Sequence, residues 1–75
     1  MKTLTYRVLL HKEPEGGYTV TVPVLQGCVT YGETLEEALE MAKDAIALYL
    51  ESLSVHNDPI PTEENTFEHL ISIAV

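Results

Sequence analysis

Apolar and polar residues alternate along two segments near the start of the chain, which is the period of half-buried strands. The first such segment is Thr3–His11, and the same period returns over Tyr18–Val24. Residues 12–17 between them hold a proline and two glycines, which favour a turn. The pattern therefore predicts a β-hairpin, followed by a short third strand over Cys28–Tyr31.

The apolar spacing changes to the helical period after Thr34. The Thr34 hydroxyl is placed to cap a helix, and Glu37, three residues later, is placed to bond back to the Thr34 backbone, which is a capping box. One long amphipathic helix is therefore predicted from Leu35 to about Leu53. Its apolar stripe comprises Leu35, Ala38, Leu39, Ala42, Ala45, Ile46, Tyr49 and Leu53.

The end of the chain predicts a loop and a last strand. Residues 54–66 include two prolines and cannot continue the helix, whereas Phe67–Val75 alternates again. The order β-β-β-α-β predicts one α+β domain over residues 1–75, in which one helix packs on one face of a small, mainly antiparallel sheet. The other face is free to be wet or to meet another subunit. It would carry Thr5, Arg7, Thr19 and Thr21.

The charge of the chain narrows its possible partners. Twelve acidic residues against four Lys and Arg give a net charge of -8, and such a surface repels phosphate backbones, so direct nucleic-acid binding is not expected. A basic protein partner would be attracted. The alternative is that the charge only keeps a small protein soluble.

Length and cysteine content bound the assembly state and the compartment. A chain of 75 residues buries a small core, so we expect a homodimer or a larger homo-oligomer. The single cysteine, Cys28, excludes an internal disulfide and is expected to be a buried thiol in a reducing compartment. Because no segment reads as a signal peptide or a membrane span, the chain is expected to be cytoplasmic.

No cluster of residues predicts catalysis, a metal site or a cofactor. The three histidines, His11, His56 and His69, lie far apart, and Cys28 has no close metal-ligand neighbour. The carboxylates fall on the polar helix face and in loops rather than on strands facing a cleft. We therefore expect a binding protein rather than an enzyme.

Two apolar helix residues lie outside the stripe that a two-layer domain needs to cover its sheet. Met41 and Leu48 lie seven positions apart, beside Ala45 and outside the main apolar stripe. They either cover the edge of the same core or contact another molecule. Met41, Ala45 and Leu48 are therefore candidate residues for an oligomer or partner contact.

The runs Tyr18–Cys28 and Gly32–Ala38 resemble the signature of HicB-like antitoxins, as do Tyr49-Leu50 and Ile60-Pro61. Several motif positions are expected to be turn, strand-end or capping residues. These are Pro23, Gly27, Cys28, Gly32, Thr34 and Glu37.

The resemblance implies a partial RNase H-like fold and an antitoxin that neutralises a small, basic, HicA-type mRNA-cleaving toxin by binding over it. An orphan HicB-like regulatory or structural domain, with no toxin, is the alternative. Many members of that family continue into a DNA-binding segment. This chain is expected to be a short form that lacks the segment, so autorepression by the chain alone is not expected.

Overall fold

The computed structural model describes residues 3–75, and over that range it contains three strands followed by one long helix. The strands are β1 (Leu9–Lys12), β2 (Tyr18–Thr21) and β3 (Val29–Gly32), and the helix is α1 (Leu35–Val55). The strands form an antiparallel sheet in the order β1-β2-β3. The predicted α+β class is confirmed.

Glycines close the hairpin between β1 and β2. Gly16 and Gly17 have φ angles of 106° and 84°, a region that L side chains rarely adopt. The Gly16 amide donates to the Glu13 carbonyl at 3.0 Å, and the Glu13 amide donates to the Gly17 carbonyl at 3.0 Å. The turn thereby sets the register, in which Lys12 lies opposite Tyr18.

The first strand is shorter than predicted, because β1 begins at Leu9 rather than Thr3. Its partner β2 ends at Thr21, and the chain then turns through a loop that closes where the Val22 amide donates to the Cys28 carbonyl at 3.1 Å. Residues 3–8 therefore extend past the end of β2. We call residues 3–8 the overhang.

The core lies between the inner face of the sheet and one face of α1. One buried cluster holds Val20, Ala38 and Ala42, and a second holds Val22, Leu25 and Cys28. Val8 of the overhang packs against both clusters. The core is small: among the described residues, the largest fully buried side chains are those of Leu25 and Val20.

Both ends of α1 are capped by the chain. Thr34 Oγ1 accepts from the Glu37 amide at 3.1 Å, but the Glu37 carboxylate accepts from the Glu33 amide at 3.0 Å rather than from Thr34. The helix ends at Val55, two residues later than predicted, where Asn57 takes a φ of 57°. Asparagine is one of the few residues that tolerate this left-handed turn.

The predicted last strand does not form within the described chain. Residues 67–75 pair with none of the three strands, and their apolar side chains are exposed. We call Phe67–Val75 the arm. Alternation shows that a segment is able to form a strand, but a ladder also needs a partner with free backbone groups.

Candidate partner-binding surface

The structure separates the three helix residues that the sequence singled out. Ala45 is half-buried and packs against the cluster of Val22, Leu25 and Cys28. Met41 is 47% exposed and Leu48 is 67% exposed. Of the two interpretations, core edge therefore describes Ala45, whereas Met41 and Leu48 lie on the outer surface of α1.

Acidic residues lie between these exposed apolar residues along the helix. Asp44 follows Met41 by three positions, and Glu51 follows Leu48 by three positions. Val55, seven residues after Leu48, is 73% exposed. Residues three and four positions apart share one helix face. We call this face, made of Met41, Asp44, Leu48, Glu51 and Val55, the helix strip.

The helix strip combines apolar area with negative charge. Over its 21 residues α1 carries five acidic residues and a single lysine, Lys43, which lies on a different side of the helix. A surface of this kind is suited to a partner that presents apolar side chains ringed by Lys or Arg. The strip is therefore the best candidate interface on the helix.

The motif residues around Cys28 support the fold beneath this surface. The loop between β2 and β3 has Pro23 exposed, Gly27 at a φ of 81° and Cys28 buried. The Tyr49 hydroxyl donates to the Gln26 carbonyl at 2.8 Å and ties α1 to this loop.

Cys28 lies in the core, away from the helix strip. Burial raises the pKa of the Cys28 thiol, which opposes its use as a nucleophile. The loop that holds it thus positions α1 rather than offering chemistry.

Gly32 allows β3 and α1 to approach each other closely. It is buried at the end of β3, and a Cβ at this position would lie 2.5 Å from the Ala38 Cα and 2.8 Å from the Glu37 carbonyl carbon. Only a residue without a side chain fits here without displacing the first turn of the helix. Thr34 and Glu37, two further motif positions, begin that turn.

The remaining chemical groups do not converge. Within residues 3–75, no group of three His, Cys, Asp or Glu side chains is placed to hold a metal ion. In the same part of the chain, no helix is long and apolar enough to cross a membrane. The exposed face of the sheet carries Leu9, Thr21 and Val29 in one cross-strand row, so it is mixed in character.

Sequence reasoning found only part of the helix strip. Asp44 and Glu51 belong to the carboxylates that the sequence places on the polar helix face, and Val55 lies beyond the predicted helix end. The signal that would have joined them to Met41 and Leu48 is their spacing of three, four and seven. That spacing is the same one that identified the buried stripe.

Comparisons with known proteins agree with the motif resemblance. A family model described as "HicB_like antitoxin of bacterial toxin-antitoxin system" matches residues 6–73. A UPF0150 protein of Thermoplasma acidophilum is 47% identical over 60 residues, covering 80% of this chain and 87% of that protein. A UPF0150 protein of Synechocystis is 48% identical over 59 residues, covering 79% of this chain and 75% of that protein.

A third relative carries a functional name. Antitoxin HicB of Escherichia coli is 36% identical over 72 residues, which cover 93% of this chain and 52% of that protein. The chain thus spans about half the length of this HicB relative.

Proposed function

Because this chain belongs to the HicB-like antitoxin family of bacterial toxin–antitoxin systems, we propose that it neutralises a small, basic, HicA-type mRNA-cleaving toxin by direct contact. The observation that carries this proposal is the helix strip, which joins exposed Met41 and Leu48 to flanking acidic residues. The protein acts by binding, in the cytoplasm, without cofactor or nucleic acid.

Charge complementarity supports a basic partner for this chain. A net charge of -8 on 75 residues attracts a cationic protein over roughly one Debye length, about 8–10 Å at physiological salt. A toxin that binds mRNA needs a cationic surface, since phosphate contacts supply much of its affinity. Covering that surface with acidic residues would also keep the RNA away from it.

Apolar residues supply the part of the binding energy that salt does not screen. Met41 is 47% exposed and Leu48 is 67% exposed, so a partner that covers them would gain part of the roughly 1.5–3 kcal/mol that full burial of such a side chain is worth. Rim charges such as Asp44 and Glu51 act mainly on the rate of encounter. The two kinds of residue therefore make separable contributions.

The experiment is co-purification with the product of an adjacent gene that encodes a small basic protein, followed by measured binding kinetics. Met41→Asp with Leu48→Asp should raise Kd at least about 100-fold, equivalent to roughly 2.7 kcal/mol. The control, Ala47→Asp with Ser54→Asp, adds the same charge at the same spacing on the exposed surface of α1, about 120° around the helix axis from Met41 and Leu48. It should change Kd less than about threefold.

Two results would contradict the proposal. Equal weakening by both variants would mean that charge alone, and not the helix strip, decides binding. No co-purifying basic protein would favour the orphan regulatory domain. Raising salt should slow association more than it speeds dissociation, and a salt-independent association rate would remove the role given to the acidic surface.

A further inference from the structure

The arm is the least covered part of the described chain. Its large apolar side chains, Phe67, Leu70, Ile71, Ile73 and Val75, are each at least 77% exposed. No hydrogen bond joins residues 69–75 to the rest of the described chain. The radius of gyration is 14.4 Å, against about 11 Å for a compact chain of this length. The arm thus extends away from the domain.

The side chains of the arm are arranged for a half-buried strand. One side of the arm is apolar except for His69. It carries Phe67, His69, Ile71, Ile73 and Val75, which alternate with Glu68, Leu70, Ser72 and Ala74. An exposed strand of this kind is a template for pairing with another strand. Its free backbone groups and its apolar side both require a partner.

A groove of matching character lies beside the overhang. Leu4 and Val8 of the overhang form one wall, and α1 forms the other. The cavity between them measures about 240 Å³, which is below the usual range for small-molecule sites and suited to inserted aliphatic side chains. We call this cavity the groove. Its helix wall comprises Leu39, Ala42, Lys43 and Ile46.

The groove leaves part of the apolar stripe of α1 uncovered. Leu39, which belongs to the predicted core-facing stripe and lines the groove, is 42% exposed, and Leu35, one turn before it outside the groove, is 49% exposed. The overhang also lacks a ladder partner, because β2 ends at Thr21. The loop after α1 contacts the overhang at Tyr6 and Arg7, but no strand pairs with residues 3–8 in the described chain, and the groove between the overhang and α1 is open to one.

The arm of the same chain is held away from that position. The start of the arm and the loop before it are both bound to Arg7. The Arg7 amide donates to Glu63 Oε2 in the loop at 2.9 Å, and the Arg7 guanidinium lies 3.1 Å from the carboxylate of Glu68 in the arm. From Phe67 to Val75 there is no Gly, Pro, Asn or Asp that would reverse the chain. The arm therefore points outward after Glu68.

We propose that the arm of each chain inserts as a strand along the overhang of a second copy, with Ile71 and Ile73 in that copy's groove. The exchange is reciprocal about a two-fold axis, so one dimer covers both arms and both grooves. Each sheet thereby gains a fourth strand beside the overhang and β1. A toxin or other protein in the groove would leave the arms exposed, which is why a second copy is the favoured occupant.

The first test is the oligomeric state of two arm variants. At roughly 100 µM, where a dimer of micromolar Kd is populated, the wild-type protein should have twice the 8.3 kDa chain mass by light scattering. Ile71→Asp with Ile73→Asp should be monomeric with an unchanged circular dichroism spectrum, because both side chains are at least 77% exposed in the single chain. Ser72→Asp, on the opposite side of the arm, should remain dimeric.

The second test separates groove insertion from pairing between two arms. Leu39→Asp should dissociate the dimer, because a carboxylate in the groove makes the insertion of apolar side chains unfavourable. Mixing it with the Ile71→Asp, Ile73→Asp variant should restore a heterodimer, because one intact arm then meets one intact groove. Amide exchange on the wild-type protein provides a check without variants, since residues 4–8 and 69–75 should gain protection together as concentration rises.

Several outcomes would overturn the proposal. A monomeric wild-type protein at that concentration excludes the exchange, and a dimeric arm variant moves the interface elsewhere. A dimer that survives Leu39→Asp but not the arm substitutions means that the arms pair with each other. If Leu39→Asp unfolds the chain, the absence of joint protection in 4–8 and 69–75 decides against the groove.

Discussion

Replacing Gly32 with alanine tests the close packing of β3 on α1. The added Cβ would lie 2.5 Å from the Ala38 Cα, whereas carbon atoms in contact normally lie about 3.5–4.0 Å apart. The obstacle is backbone rather than a flexible side chain, so the first turn of the helix must move by roughly 1 Å relative to the strand.

The cost follows from two opposing terms. Overpacking of this kind costs about 1–3 kcal/mol, and we expect the upper end because the helix backbone has to shift. Alanine restricts the unfolded chain and returns about 0.4–1 kcal/mol. The net loss is therefore about 2 kcal/mol of unfolding free energy, out of roughly 4–11 kcal/mol for a domain of this size. Tm should fall by about 8–16 °C.

Urea unfolding followed by circular dichroism, at one fixed protein concentration, gives the free energy of unfolding for each variant. Gly27→Ala is the matched control: Gly27 has a φ of 81° but nothing within 4 Å of an added Cβ. It should lose about 1 kcal/mol, through backbone strain alone. A Gly32→Ala variant no less stable than Gly27→Ala would refute the steric reasoning.

Three further predictions concern the helix cap, the Tyr6 hydroxyl and the pH dependence of stability. Thr34→Ala removes the acceptor for the Glu37 amide and should lower the unfolding free energy by about 1 kcal/mol, measured by urea unfolding. Tyr6→Phe removes the hydroxyl that donates to the Pro61 carbonyl, so it should cost about 1 kcal/mol and speed amide exchange in the loop after α1. Burial raises the pKa of Cys28 and, with Glu63 adding to it, the pKa of Tyr6. Both groups therefore hold their proton more tightly in the folded than in the unfolded protein. The unfolding free energy should be steady from neutral pH to about pH 8 and fall above about pH 9, and a rise between pH 8 and 10 would contradict the raised pKa values.

The helix was predictable from sequence because its determinants are local. The capping hydroxyl of Thr34 and the apolar period after it lie within the segment that they specify, and α1 begins at Leu35 as expected. The hairpin was predictable for the same reason, since its glycines set the turn. The helix ends two residues later than predicted. The sequence around Leu53 carries no strong stop signal, and the left-handed φ of Asn57, which ends the helix, is visible only in the structure.

Strand boundaries were less predictable because pairing is not local. The overhang and the arm both alternate in the way that a strand does, yet neither lies in a ladder of the described chain. The helix strip was incomplete for a related reason: the spacing that defines a surface for a partner also describes an ordinary solvated face. Sequence period identifies which faces are apolar, and only the tertiary structure shows which of them remain uncovered.

The groove and the helix strip lie on different sides of α1, which bears on how assembly and toxin binding relate. Leu39 and Met41 are two positions apart, so their side chains point about 160° away from each other around the helix axis. Arm exchange would therefore cover the Leu39 side and leave the strip free. A two-fold dimer would then present two helix strips, one on each protomer. Because the arm and the strip share no residue, each interface would form without competing with the other, and a dimer would bind two toxin molecules.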